Sequence, residues 1–278
     1  MSTSPQGRTL GEPFSSNVTY SDQLHIAGVS VAALAQEFGT PLYVIDEDDF
    51  KARALAWKSA FERHFGGAAG TVYYAGKAQL NKEIVRWVDK AGIGLDACTQ
   101  GELAVALSVN FPAARIELHG NNKSEEEIST AIDAGVGTIV MDSFHEIERV
   151  ARIASAKGVT QKVLLRLTAG ISAHTHEFIA TAHEDVKFGF SIASGAAWRA
   201  VEDVQGRPSL RLAGFHSHIG SQIFDGEGFS IAASRLIALA AKFRDTYGSE
   251  LPELDLGGGY GIAYLPGERA YDPDDVLK

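Results

Sequence analysis

The stretch "TVYYAGKAQL", residues 71–80, is apolar until its end, where it carries a lysine, Lys77. Lysine is seldom placed where its ammonium must leave water. A desolvated amine has a lowered pKa and becomes a nucleophile toward carbonyl groups, suited to a Schiff base. The spacing fits a lysine that snorkels to solvent equally well. Residues two apart on a strand face the same way, so Lys77 shares a face with Ala75 and Tyr73, and His216 shares one with His218.

A second chemical signal is "LDLGGGYGIAY", where Gly257, Gly258 and Gly259 directly follow an apolar run. Without side chains, the backbone N–H groups there can surround an anion such as a phosphate; tight turns use the same residues. The run has neither the Gly-Lys-Ser/Thr tail of a P-loop nor the dinucleotide G-x-G-x-x-G spacing. A third is "GFHSHIGSQI", which offers His216, His218 and Ser221. A histidine pair can bind metal, but no Asp, Glu or Cys stands close by in sequence to complete such a site. "AHTHEF" (173–178) with His183 raises the same question in an expected loop, where gating of the site or solvated polarity fits better. No metal is expected. A flat imidazole and a serine hydroxyl beside the glycine run suit a flat, phosphorylated cofactor instead. Asp96 and Arg166 end two further strands and could pair with each other or with other neighbours.

The elements that must position these residues alternate in type. β-rich runs are expected at 71–78, 93–99, 115–122, 138–143, 162–169, 210–220 and 253–259. Between them, "NKEIVRWVDKAG" puts Ile84, Val85 and Val88 on one helical face and closes on Gly92. Ser124 with Glu127, and Ser143 with Glu146, have the spacing of capping boxes. Strand, helix and strand, repeated, means parallel βαβ units. Polar residues fall at nearly every strand end, including His119 and Asp142. That favours a barrel, whose site draws on many strands, over an open sheet with one switch point. About seven strands are present where a (β/α)8 TIM barrel needs eight, and Asp272-Pro273 starts one more helix. The expectation is a barrel incomplete at its C-terminal end, part of a longer chain, with residues 1–40 a flexible leader followed by a helix and residues 41–278 the partial barrel.

The composition excludes several partners. A formal net charge of -10, from 35 acidic and 25 basic residues, repels phosphate backbones and anionic membranes, so nucleic acid is not expected. No apolar run reaches the ~18 residues needed to span a bilayer. One cysteine, Cys98, excludes an internal disulfide framework and fits a reducing cytoplasm. An amine, an imidazole and a phosphate cradle on one rim imply a cofactor with an aldehyde, an aromatic ring and a phosphate. Pyridoxal 5′-phosphate has all three.

On "YAGKA", "LDACTQGELAVAL", "LHGNNKS", "AHTHEFIATAHEDVKFGFS", "GFHSHIGSQIFD" and "LDLGGGYGIAYLP", the chain resembles the pyridoxal-phosphate-dependent decarboxylases with an alanine-racemase-type barrel, and within them the diaminopimelate branch. These segments cover nearly all of residues 40–268 in family order. The resemblance implies that Lys77 carries the cofactor as a Schiff base, His218 stacks on its ring, Ser221 helps to hold it, and Gly257, Gly258 and Gly259 contact its phosphate. It implies Asp96 and Arg166 near the ring, and Lys187 near the site and the subunit contact. It further implies decarboxylation of meso-2,6-diaminopimelate to L-lysine, the last step of lysine biosynthesis, in a cytoplasmic homodimer. Ornithine or arginine decarboxylation, or a non-catalytic pyridoxal-phosphate-binding chain, are the alternatives. The family's later E-P-G-R strand and C-terminal β-domain have no counterpart in these residues, so this chain alone is expected to be inactive or weakly active.

Overall fold

The computed structural model describes residues 8–9, 13–66, 70–170, 188–224 and 226–278. It divides into two compact units, Met1–Val72 with Gly261–Lys278, and Tyr73–Tyr260. The sequence reading had set its boundary after residue 40.

In the first unit, four short antiparallel strands lie in the order β1 (Arg8–Thr9), β2 (Val18–Tyr20), β3 (Leu24–Ile26) and β4 (Val29–Ser30). Strand β1 falls inside the segment expected to be a leader; two or three residues per strand are too few for an alternating pattern to show in sequence. Helix α1 (Val31–Phe38) starts at Ser30, and α2 (Glu47–Phe65) starts at Asp46, whose carboxylate accepts the Asp48 and Asp49 N–H groups. Arg63 and His64 at the end of α2 both reach Asp274 in the short helix Pro273–Val276.

The second unit holds the chemistry. Its elements are β5 (Tyr73–Ala75), α3 (Lys82–Ala91), β6 (Gly94–Ala97), α4 (Gln100–Leu107), β7 (Ile116–Leu118), α5 (Glu125–Ala134) and β8 (Thr138–Met141). They continue with α6 (Phe144–Ala156), β9 (Gln161–Thr168), β10 (Phe190–Ser191), α7 (Ala196–Gln205), β11 (Leu210–His216), α8 (Glu227–Tyr247) and β12 (Glu253–Asp255). The sheet runs β12-β11-β9-β8-β7-β6-β5, parallel at every pairing, with the two-residue β10 beside the end of β9. Six of the seven expected runs contain one strand of this path, and the seventh, 162–169, covers all of β9 but Gln161. Among the described residues no pairing joins β5 to β12, so the curled sheet is an incomplete barrel.

Both faces of the central strands are covered, which is why β8 is buried at all four positions and reads as unbroken apolar sequence. Helix α3 buries Ile84, Val85 and Val88 as its stripe requires, between Asn81 as N-cap and Gly92. At α5 the capping box is complete: Ser124 Oγ accepts the Glu127 N–H, and the Glu127 carboxylate accepts the Ser124 N–H. The box expected at α6 forms only by half. Ser143 caps the helix, but the Glu146 side chain turns into the protein, accepts the Asp142 N–H at 2.7 Å, and pairs with Lys123. A buried cation draws that carboxylate away from the helix end.

Strand β11 shifts register between Leu212 and Gly214 to stay in step with β9. Gly214 lies so close to β12 that a Cβ would come within 1.8 Å of the Glu253 carbonyl oxygen. Gly214→Ala must therefore push the two strands apart. We expect a loss of about 1–3 kcal/mol or more in urea unfolding, the range for overpacking a dense interior. An unchanged midpoint would show that this edge of the sheet yields freely.

Candidate active site

The end of β5 explains where Lys77 goes. The strand stops at Ala75, and Gly76–Ala78 form a turn of 3-10 helix that carries Lys77 out of the strand with its side chain exposed. The shared face expected for Lys77, Ala75 and Tyr73 is thus cut short, and of the two readings of the lysine the exposed one matches the structure. The same holds on β11: the strand ends at the buried His216, and His218 lies beyond it, half-buried. The two histidines occupy different environments.

The glycine run forms the loop after β12. Asp255, the last residue of that strand, accepts the Gly257 N–H at 2.7 Å, and Ser217 donates its N–H to the Asp255 carbonyl at 2.9 Å. Gly257 has φ +67°, and a Cβ there would come within 2.9 Å of His218 Nδ1. Gly259 has φ +100°, and its Cβ would overlap the Gly220 carbonyl oxygen at 1.9 Å and come within 3.3 Å of Ser221 Cα. Gly258 faces open space, with nothing within 4 Å of a Cβ. Two of the three glycines are thus required by packing, and the middle one borders open space. The loop lies directly against His218 and Ser221, which brings three of the expected cofactor contacts together.

Further inside, the sheet holds a cluster that sequence reasoning assembled only in part. His119 Nε2 lies 3.5 Å from Asp96 Oδ1 and 3.6 Å from Glu117 Oε2. The His119 ring packs edge-on against His216 with centroids 4.9 Å apart, and His216 Nε2 is 3.8 Å from Asp255 Oδ2. Glu117 and Asp255 went unread as site residues. The available signal was their position, two residues before His119 and before Gly257, in runs otherwise apolar. Asp255 also supplies the acidic neighbour that the sequence around His216 lacks. Arg166 does not meet Asp96. Its Nη1 faces Asp142 Oδ2 at 3.5 Å, and its guanidinium lies 4.4 Å over the Phe188 ring. His174, His176, His183 and Lys187 lie outside the described residues.

Charge divides this site. Burial alone would lower the His119 pKa, but the Asp96 charge and contacts with Asp96 and Glu117 outweigh it and raise it to about 10. Burial, then the charges of His119, Arg166, His218 and Lys77, push His216 well below its ordinary value. Burial with Lys77, Arg166 and His119 lowers His218 to about 3. Asp255 is raised to about 7 by burial and by the charges of Glu117 and Asp96. At neutral pH the site therefore holds one imidazolium between carboxylates and two imidazoles kept neutral chiefly by burial. Asp96, Glu117 and His119 place donor atoms within 4.8 Å of one another, a spacing a metal ion could use. The proton on His119 already supplies the positive charge there.

The sign of the His119 shift fixes a stability profile. A folded pKa raised from 6.5 to about 10 gives stability that is fully present below pH 6.5 and lost as pH rises through about 10. Urea unfolding should show the wild type losing its advantage over His119→Asn across that window. A pH-independent difference between the two proteins would sink the assignment of the proton.

Residues 47–277 match the family described as "Pyridoxal-dependent decarboxylase, pyridoxal binding domain". The chain is 55% identical over 260 residues to the diaminopimelate decarboxylase of Mycobacterium tuberculosis, covering 91% of this chain and 56% of that protein. It is 42% identical to the diaminopimelate decarboxylase of Bacillus subtilis, with 92% of this chain and 58% of that one aligned. Among solved structures, the diaminopimelate decarboxylase of M. jannaschii in co-complex with L-lysine superposes with a TM-score of 0.85 at 31% identity, covering 94% of this chain and 61% of that one. The chain thus spans somewhat more than half the length of the relatives it matches. On sequence and on fold together, it belongs to the pyridoxal-dependent decarboxylases and carries their pyridoxal-binding domain.

Proposed function

We propose that this chain is the pyridoxal-phosphate-binding part of a carboxy-lyase that converts meso-2,6-diaminopimelate to L-lysine and CO2. The observation that carries the reading is the loop after β12: open space beside Gly258, between two glycines that packing demands, set against His218 and Ser221. Such a cradle fits a phosphate. Lys77 follows the C-terminal end of β5, and in an all-parallel sheet that is the end at which the loops after β11 and β12 begin.

When bound, pyridoxal phosphate supplies an aldehyde for an amino group and a ring that takes up the electrons left by departing CO2. The chain's residues then divide the remaining tasks. Lys77 offers the amine that anchors the aldehyde. Gly257, Gly258 and Gly259 offer the loop for the phosphate, with Ser221 beside it. His218, kept neutral by burial and by Lys77 and Arg166, presents an uncharged flat ring to the cofactor. Asp96 and Arg166 would lie near the ring, each facing a partner of opposite sign, His119 and Asp142. The substrate assignment rests on the likeness to diaminopimelate decarboxylases. A homodimer is proposed on the same family likeness. A cytoplasmic location fits the single cysteine, and no helix among the described residues is long and apolar enough to cross a membrane.

Two measurements test this. Titrating pyridoxal phosphate into the chain should raise a visible absorbance band that Lys77→Ala abolishes. Gly258→Ala should weaken the affinity by about tenfold or more while leaving the melting temperature unchanged, because its Cβ meets only the space reserved for the ligand. Full affinity in Gly258→Ala would move the phosphate elsewhere. Release of CO2 from meso-diaminopimelate, L-ornithine and L-arginine, assayed in a chain of its relatives' full length because these residues alone are expected to be inactive or weakly active, then decides the substrate. Release from the first alone supports the proposal, release from either of the others redirects it, and cofactor binding with no release leaves a non-catalytic binding chain.

A further inference from the structure

Lys123 is among the largest fully buried side chains of the described residues, yet it carries an ammonium. All three of its donors are used: Nζ donates to the Gly120 carbonyl at 2.7 Å, to the Val140 carbonyl at 2.7 Å, and to Glu146 Oε1. The other Glu146 oxygen accepts the Asp142 N–H at 2.7 Å. The Asp142 carboxylate in turn accepts the Gly189 N–H at 2.6 Å and faces Arg166 Nη1 at 3.5 Å. One ammonium thereby ties together the chain ends that follow β7, β8 and β9, the last through Asp142.

A buried ion pair is a poor source of stability, since desolvation of both charges offsets their attraction, and apolar residues of similar volume would serve the core as well. What apolar residues could not do is fix the backbone of Asp142 and thereby aim its carboxylate. We propose that Lys123 and Glu146 are positioning residues of the cofactor site: they set Asp142, which holds the Gly189 N–H and the Arg166 guanidinium in place. The effect on cofactor binding rests on the pyridoxal-phosphate reading above; the setting of Asp142 does not.

The test is a double replacement, Lys123→Met with Glu146→Met, which leaves no orphaned charge behind. In the cofactor-free chain, hydrogen exchange at the Gly189 amide should speed up by tenfold or more, while the Leu164 amide within β9 keeps its protection. Pyridoxal phosphate should bind about tenfold more weakly, and the double replacement should add nothing further in an Asp142→Ala background. A purely structural pair would instead lower the melting temperature and leave Gly189 exchange and affinity as in the wild type, which overturns the proposal. If the double variant does not fold, Asp142→Ala, which keeps the Lys123–Glu146 pair and removes the acceptor of the Gly189 N–H, must itself reproduce both effects, and wild-type behaviour in it overturns the proposal as well. A wild type that binds no pyridoxal phosphate refutes the cofactor reading, while Gly189 exchange still decides whether the pair positions Asp142.

Discussion

Parallel pairing governs this site. Strands that all run in one direction need a crossover after each, and every crossover begins at the same end of the sheet. Lys77, His119, Asp142, His218 and Gly257 follow five different strands, yet connectivity brings them to one rim. No residue there is adjacent in sequence to its chemical partner. The loops can vary in chemistry because the sheet and its helices, dense and apolar on both faces, fix their starting points.

Within that rim, three histidines that are alike in sequence have three different fates. His119 lies among carboxylates and keeps its proton, while burial chiefly, and the charges of His119, Arg166 and Lys77 after it, lower His216 and His218. The arrangement is self-consistent: the proton is held where acids converge, and its charge adds to the burial that keeps the neighbouring rings neutral. A neutral ring suits packing against another flat ring, and a charged one suits neutralising a buried acid.

The parts legible from sequence were those set by local forces. The apolar stripe of α3 and the cap of α5 lie within a dozen residues, and the structure reproduces both. The parity of strands was legible only while a strand lasted. It misplaced Lys77 and His218 because β5 and β11 end just before them, where turn geometry replaces alternation. Glu146 was misread because its spacing to Ser143 is that of a cap, whereas its partner Lys123 stands 23 residues away. Asp96 and Arg166 were recognised as strand-end residues, but their partners His119 and Asp142 depend on which strands are neighbours, and that is a property of the sheet. The triple glycine was read correctly as special, though only its packing distinguishes the two obligatory glycines from the open one.

The cations at the rim have a kinetic meaning. The chain carries a formal net charge of -10, so an anion drifting toward most of its surface is turned away. Lys77, exposed just past the end of β5, is a local cation within that field, whereas the Arg166 charge is matched by Asp142. An exposed lysine of this kind attracts anions only at close range, and dissolved salt weakens even that pull. An acidic protein thereby discourages non-specific anion binding over most of its surface.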